Sequence, residues 1–301
     1  MAGPGATGQR DTVIGMAIMA SAALLLPLGD TFAKALTTVM SPVHATMWRL
    51  LAQGVMMVPL AFLLRRRLHG PMFSPIVALS GLLLMLTLAA FLGAFERMPI
   101  ATANAIFFVE PLVLTLLAVP ILGERIGLPR LIAVAVGLLG AVIVIRPGLA
   151  TFGIAAVFPL GAAVTFSLNM IVLRHASKRR SGLTIQCGAT AYAAVGTIIG
   201  LMIWQGPSSI IAVSAAVPLW TWGAIAGAGA TAAICFVMIA EAFRRVEAGI
   251  LAPFQYLEII GATFFGYVVF GDFPDALTWL GVAIILGAGL YVFYREHRGA
   301  D

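Results

Sequence analysis

Residues 94–124 read AFERMPIATANAIFFVEPLVLTLLAVPILGE, and residues 242–272 read AFRRVEAGILAPFQYLEIIGATFFGYVVFGD. Offset by 148 residues, they align Ala94-Phe95-Glu96-Arg97 with Ala242-Phe243-Arg244-Arg245, Glu110 with Glu258, and Gly123-Glu124 with Gly271-Asp272, without a gap. Each stretch holds an apolar run interrupted by one carboxylate, and a bilayer core about 30 Å thick needs about 20 apolar residues per helix. The chain therefore reads as two related halves, 1–148 and 149–301, each with a membrane helix that carries a glutamate at matching depth.

The rest of the chain extends this pattern. Of its 301 residues 61% are hydrophobic and 10% charged, with a mean hydropathy of +1.05, against about 45–50% apolar and about 25% charged in a globular domain. Apolar runs bounded by breakers predict ten helices, at about 12–36, 43–64, 73–95, 99–122, 128–145, 152–173, 183–204, 217–240, 248–270 and 276–294. The first run is too long for a signal-peptide core and reads as a retained helix. Five spans per half is an odd number, so the second half runs through the membrane in the opposite sense. The expected fold is an all-α membrane protein of ten transmembrane helices, built as two inverted five-helix repeats, an architecture whose substrate sites lie near the midplane between repeats.

Of the 18 Lys and Arg, fourteen fall in the terminal tails and even-numbered loops, among them Arg65-Arg66-Arg67, Lys178-Arg179-Arg180 and Arg244-Arg245. Only Arg97 and Arg146 fall in odd-numbered loops, and Lys34 and Arg49 sit within apolar runs. Because cytoplasmic loops carry the excess of Lys and Arg, both termini are expected in the cytoplasm. The pI of 9.9 is thus a topology signal, and the charge is not gathered on one soluble surface as nucleic-acid binding requires. Cys187 and Cys235 both lie in apolar runs, which argues against a disulfide framework. His44, His69, His175 and His297 have no ligand spacing, so no metal is expected. No nucleophile elbow, P-loop or HExxH pattern occurs, and no cofactor or catalytic residue is expected.

The Ala-Phe-x-Arg loop, Pro111 inside the fourth span, Gly123-Glu124 at its close, and the glycines of spans five and ten (Gly137, Gly140; Gly281, Gly287, Gly289) together resemble the EamA-type branch of the drug/metabolite transporter superfamily. The resemblance covers nearly the whole chain. It implies a ten-helix secondary carrier of a bacterial-type inner membrane, moving amino acids, nucleotide-like metabolites, vitamins or toxic amphiphiles through a central cavity. The stretch Gly29-Asp30-Thr31-Phe32-Ala33-Lys34 followed by Trp48-Arg49 is similar to members that take up S-adenosylmethionine or riboflavin. The partners so implied are a small-molecule substrate and the lipid bilayer, with a homodimer left open. Two rivals are a membrane-embedded enzyme using Glu110 or Glu258 as a general base, and a non-transporting assembly factor. The enzyme lacks a basic or metal companion at midplane depth.

An ionisable residue inside the bilayer costs at least about 2.5–3.5 kcal/mol, so each one is a functional candidate. Glu110 lies 12 residues into its span, about 18 Å of helix rise, close to the midplane. Glu258 lies at the matching depth, and across a pseudo-two-fold axis the two are expected to face one cavity as coupling groups. The alternative is a buried glutamate satisfied by a neighbouring hydroxyl. Gln255 shares a helix face with Glu258 and joins the expected site, with Tyr256 pointing elsewhere. Pro111 and Pro253 free backbone carbonyls beside the two carboxylates. Asp30 and Lys34 can pair at i and i+4. Arg49 shares a stripe with Gln53, and Trp48 is expected to stack on His44. Asp30, Trp48 and Arg49 read either as a cluster in which the guanidinium fork holds a substrate carboxylate, or as a structural Asp30–Arg49 clamp with Lys34 snorkelling outward. The corresponding region of the second half, around Thr165, Ser167 and Asn169, is uncharged. Asn104 completes the expected substrate-binding set.

Overall fold

The computed structural model describes residues 4–122, 128–246, 251 and 254–298; the Gly123-Glu124 motif and Pro253 lie outside the described residues. The chain is helical throughout: α1 Pro4–Leu36, α2 Pro42–Leu63, α3 Pro75–Phe95, α4 Ile100–Phe107, α5 Glu110–Leu122, α6 Leu128–Phe152, α7 Phe158–Ala176, α8 Gly182–Gln205, α9 Pro207–Ala216, α10 Leu219–Arg245, α11 Glu258–Phe270 and α12 Ala276–Arg298. Most of the expected boundaries hold, but the one at Arg146-Pro147-Gly148 does not: α6 runs through it to Phe152, past the expected end of span five at 145. Ser41-Pro42 and Ser74-Pro75 open α2 and α3 with proline in the first turn, where its missing N–H costs nothing. Ser181 caps α8 by accepting the Thr184 N–H at 3.2 Å. Gly271, at φ +72°, ends α11; its N–H bonds to the Tyr267 carbonyl and that of Asp272 to the Gly266 carbonyl, which uses the last turn's free acceptors. Asp275 starts α12 by accepting the Thr278 N–H at 2.7 Å. Thr278, through its hydroxyl and this N–H, holds the Asp275 carboxyl below its ordinary range.

Among the described residues, seven helical stretches are long and apolar enough to cross a bilayer: Asp11–Leu36, Pro42–Leu63, Pro75–Phe95, Ile100–Leu117, Gly153–Ala176, Gly182–Gln205 and Leu219–Arg245. The shorter apolar helices Leu131–Val144, Glu258–Phe270 and Ala276–Tyr291 fall on predicted spans five, nine and ten. The connection expected at 205–216 contains a further helix, α9. Proline opens this helix, Val217-Pro218 follows it, and none of its residues is buried, so no core-facing stripe marked it. Apolar side chains such as Val55, Val58 and Phe62 on α2, and Leu79, Leu82 and Leu86 on α3, are exposed. Such patches are a liability in water and suit a surface bathed in lipid.

Two predicted spans are broken. Span four divides into α4 and α5, separated by Phe108 and Val109, and span nine turns at Tyr256 and Leu257 before α11 begins. The turns are tightened in the same way. Val109 N–H bonds to the Ile106 carbonyl and Leu112 N–H to Val109, while Leu257 N–H bonds to Phe254 and Ile260 N–H to Leu257, all related by the 148-residue offset. In the first half Pro111 explains the break, since it has no N–H to continue a helix but fits a first turn. The expectation of continuous helices at 99–122 and 248–270 is corrected accordingly.

Packing partners exchange between the halves. α1 runs along α10 as α7 runs along α3; α2 lies on α10 as α8 lies on α3; α11 meets α1 as α5 meets α7. α2 packs on α8 and α6 on α12, each on its own counterpart. Glycines permit the closest crossings. A Cβ at Gly229 would lie 2.6 Å from the Gln53 backbone nitrogen on α2, and one at Gly81, 148 residues earlier, 2.7 Å from the Ala189 carbonyl on α8.

Candidate functional site

The polar groups gather where the broken spans meet α1 and α2. Asp30 on α1 and Arg49 on α2, each 6% exposed, form a buried ion pair with Arg49 Nη2 donating to Asp30 Oδ1 at 3.1 Å. Asn104, fully buried on α4, donates to Glu258 Oε1 across a long 3.4 Å and lies within reach of Asp30. Glu258 is the first residue of α11, at the end of a half-helix whose dipole favours negative charge. Asp30, Arg49, Asn104 and Glu258 thus come together from four helices, although 228 residues separate the first from the last.

The cluster is incompletely satisfied. Arg49 Nε and Nη1 and Asn104 Oδ1 are buried without a hydrogen-bond partner among the described residues, and orphaned polar atoms of this kind cost about 1–3 kcal/mol each. Two donors and one acceptor are therefore available to a guest beside a carboxylate. Trp48, next to Arg49, meets Trp222 of α10 edge to face at 5.0 Å. His44 Nδ1 is hydrogen-bonded to Ser41 Oγ at 2.8 Å. Gln53 donates to Thr190 at 3.3 Å.

Glu110, the first residue of α5, occupies a different environment. Ser167 Oγ of α7 donates to its backbone carbonyl at 3.1 Å, and its Oε1 has no partner among the described residues. The residue 137 positions before Ser167 is Asp30, and the same separation relates Gln53 to Thr190. Glu110 therefore meets a serine where Glu258 has the Asp30–Arg49 pair beside it. The two glutamates occupy equivalent places in unlike surroundings, charged on one side and neutral on the other. Between the breaks, Phe108 meets Tyr256 edge to face at 5.7 Å, and these two are again 148 residues apart. Counterparts that touch lie on an axis, so Phe108–Tyr256 and Gln53–Thr190 mark it.

Other expectations are revised. Lys34 pairs with Asp272 at 2.5 Å, not with Asp30, and also donates to the Met98 carbonyl at 3.2 Å; it sits at the end of α1, where the loop between spans nine and ten reaches it. Gln255 is exposed, and the turn at Tyr256–Leu257 breaks the helical register that put it on the face of Glu258. Three residues went unremarked as site neighbours. Ser167 and Trp222 had no local signal beyond their depth, and Asp272 was seen only as a breaker. The break itself had one, since Glu110-Pro111 is an acidic residue and proline in the pattern of a helix start.

The EamA-like transporter family matches residues 13–146 and again 152–294. The chain belongs to that family. It is an integral membrane transporter of the ten-helix EamA type. It is 25% identical over 272 residues, 90% of this chain and 89% of the relative, to an S-adenosylmethionine uptake transporter of Rickettsia prowazekii. A riboflavin transporter of Vibrio cholerae is 26% identical over 66% of this chain and 64% of its own length. A pseudopaline exporter of Pseudomonas aeruginosa is 27% identical over 71% and 73%. One solved crystal structure covers 97% of this chain and 99% of its own at a TM-score of 0.62 and 18% identity, a likeness of fold. Family and relatives make this EamA-like chain a small-metabolite transporter rather than an enzyme.

Proposed function

We propose that this transporter is a secondary carrier of the inner (plasma) membrane with both termini cytoplasmic, working by alternating access between inverted repeats 1–148 and 149–301. The exchange of packing partners and the contacts between counterpart residues support the repeat. Its substrate is a small polar or amphipathic metabolite that carries a carboxylate beside a cationic group, an S-adenosylmethionine-like amino acid in first place. Arg49 holds the carboxylate, Glu258 and Asn104 receive the donor group, and the Trp48–Trp222 pair lies against the less polar part. The observation that carries this reading is the buried guanidinium of Arg49, with two nitrogens unengaged beside the unengaged oxygen of Asn104. Glu258 and Glu110 are the coupling groups, exchanging protons as each break is opened to water in turn.

Uptake of labelled S-adenosylmethionine into proteoliposomes, competed by its analogues, tests the substrate. Compounds with a free carboxylate and amine are expected to compete, and their methyl esters to fail. Esters that compete as well as the parent acids would remove Arg49 from carboxylate binding. For coupling, Glu258→Gln is expected to abolish accumulation driven by a pH gradient while exchange at equal pH continues. Wild-type accumulation by that variant would exclude Glu258 as the coupling group.

A further inference from the structure

A basic platform lies at the end of the bundle opposite the Lys34–Asp272 pair, away from the central cluster. The loop after α2 and the loop between α7 and α8 are laced together there. Ser181 N–H bonds to the His69 carbonyl at 3.1 Å, His69 N–H to Thr184 Oγ1 at 2.9 Å, and Arg180 donates to the Pro71 carbonyl at 2.9 Å and to Ser74 Oγ at 3.1 Å. Gly70, at φ +81°, lets this loop lie directly on the Arg179 carbonyl. Residues 64–74 and 176–182 contain six Lys and Arg and no acid.

Arg67 is matched by Glu241 at 2.7 Å. Lys178 and Arg179 are exposed and have no ion pair among the described residues. With His175, Arg180 and Ile76 they line a recess of about 480 Å³. Arg180 is fixed by neutral partners, so its charge too is uncompensated. From Ile76 an apolar stripe continues down α3 through the exposed Leu79, Leu82 and Leu86, at steps that keep one helix face. A cationic recess at the head of a lipid-facing stripe is complementary to a molecule with an anionic head and an apolar tail.

We propose that this recess binds the phosphate headgroup of an anionic membrane phospholipid, with Lys178, Arg179 and Arg180 on the phosphate and an acyl chain along Ile76, Leu79, Leu82 and Leu86. Basic pockets between transmembrane helices recognise such headgroups through charge and geometry together. The bound lipid bridges the α7–α8 loop of one half and α3 of the other and holds them together.

Purified full-length protein in phosphatidylcholine nanodiscs with and without phosphatidylglycerol provides the test, read by retained lipid in native mass spectrometry and by melting temperature. Phosphatidylglycerol is expected to be retained and to raise the melting temperature. Each cation near a charged surface is worth roughly a fivefold change in binding, so K178Q/R179Q is expected to lower retention roughly twentyfold. R65Q/R66Q removes the same charge outside the recess and is expected to retain the lipid as the wild type does. Equal loss in both double variants would overturn the site in favour of diffuse attraction to basic loops. Glycerol 1-phosphate or inorganic phosphate reproducing the full stabilisation would overturn the lipid as occupant and leave a soluble-anion site.

Discussion

Arg49 sits where a charge is most expensive, and beside its ion pair to Asp30 two of its nitrogens have no partner among the described residues. Arg49→Lys keeps the charge but withdraws donors from the guest. A lost charge-assisted hydrogen bond is worth about 1.5–3 kcal/mol, so transport is expected to fall roughly ten- to hundredfold with the fold retained, as uptake and thermal melting together would report. Asp30→Asn leaves a buried guanidinium unpaired and is expected to cost about 3–5 kcal/mol of stability. The double change Asp30→Asn with Arg49→Gln removes both charges and is expected to restore stability without restoring transport. Transport near the wild-type level in that double variant would show that the pair is only a clamp between α1 and α2. Sequence spacing could place Arg49 and Gln53 on one stripe of α2, but not tell whether Lys34 or Arg49 would take Asp30, because that depends on how α1 is rotated against its neighbours.

At the scale of the helix, close approach depends on missing side chains. Gly229 lets α10 lie on the backbone of α2, and Gly81 does the same for α3 on α8. Without a hydrophobic force between helices in lipid, such small-residue contacts carry much of the association. Gly229→Ala and Gly81→Ala each drive a methyl group into backbone atoms, and a loss of about 1–3 kcal/mol is expected for each. Gly223 on α10 has open space at its Cβ, so Gly223→Ala is expected to stay within about 0.5 kcal/mol of the wild type. Thermal unfolding of the three purified variants in one detergent compares them; equal melting of all three would remove the close crossings as determinants of packing. Element positions were largely legible, because Ser-Pro, Gly and basic runs punctuate the spans. The breaks at Phe108–Val109 and Tyr256–Leu257 were less so: apolar residues continue through them, and a hydropathy pattern does not register a lost backbone hydrogen bond.

Over the whole molecule, ion pairs tie the two halves at opposite ends. Lys34 of α1 meets Asp272 before α12 at one end. At the other, Glu241 of α10 is held by Arg67, Arg244 and Arg245, and Arg245 reaches Asp11 of α1. Alternating access requires the halves to separate at one end and then the other. Cysteines replacing Lys34 and Asp272, joined by a short bifunctional reagent, are expected to arrest transport; an undiminished rate in the cross-linked protein would exclude that end from gating. With both termini cytoplasmic, as proposed, reporter fusions after His69 and Arg180 are expected to read as cytoplasmic and one after Gln205 as periplasmic. A periplasmic signal at His69 would reverse the orientation and leave the packing between repeats untouched.

The all-helical membrane fold was legible in the chain alone, because apolar runs and their breakers depend only on residue type and spacing. The candidate site was legible in part: Asp30, Arg49, Asn104 and Glu258 stand out as polar groups in apolar runs. That they share one cluster, while Glu110 faces Ser167 and Lys34 reaches Asp272, was decided by tertiary structure. The spans are apolar on nearly every side, since lipid and neighbouring helices present similar surfaces to them, so no stripe in the sequence says which face meets which partner. That choice is made where glycines let backbones touch and buried polar groups find one another across hundreds of residues, a relation between helices that no single helix contains.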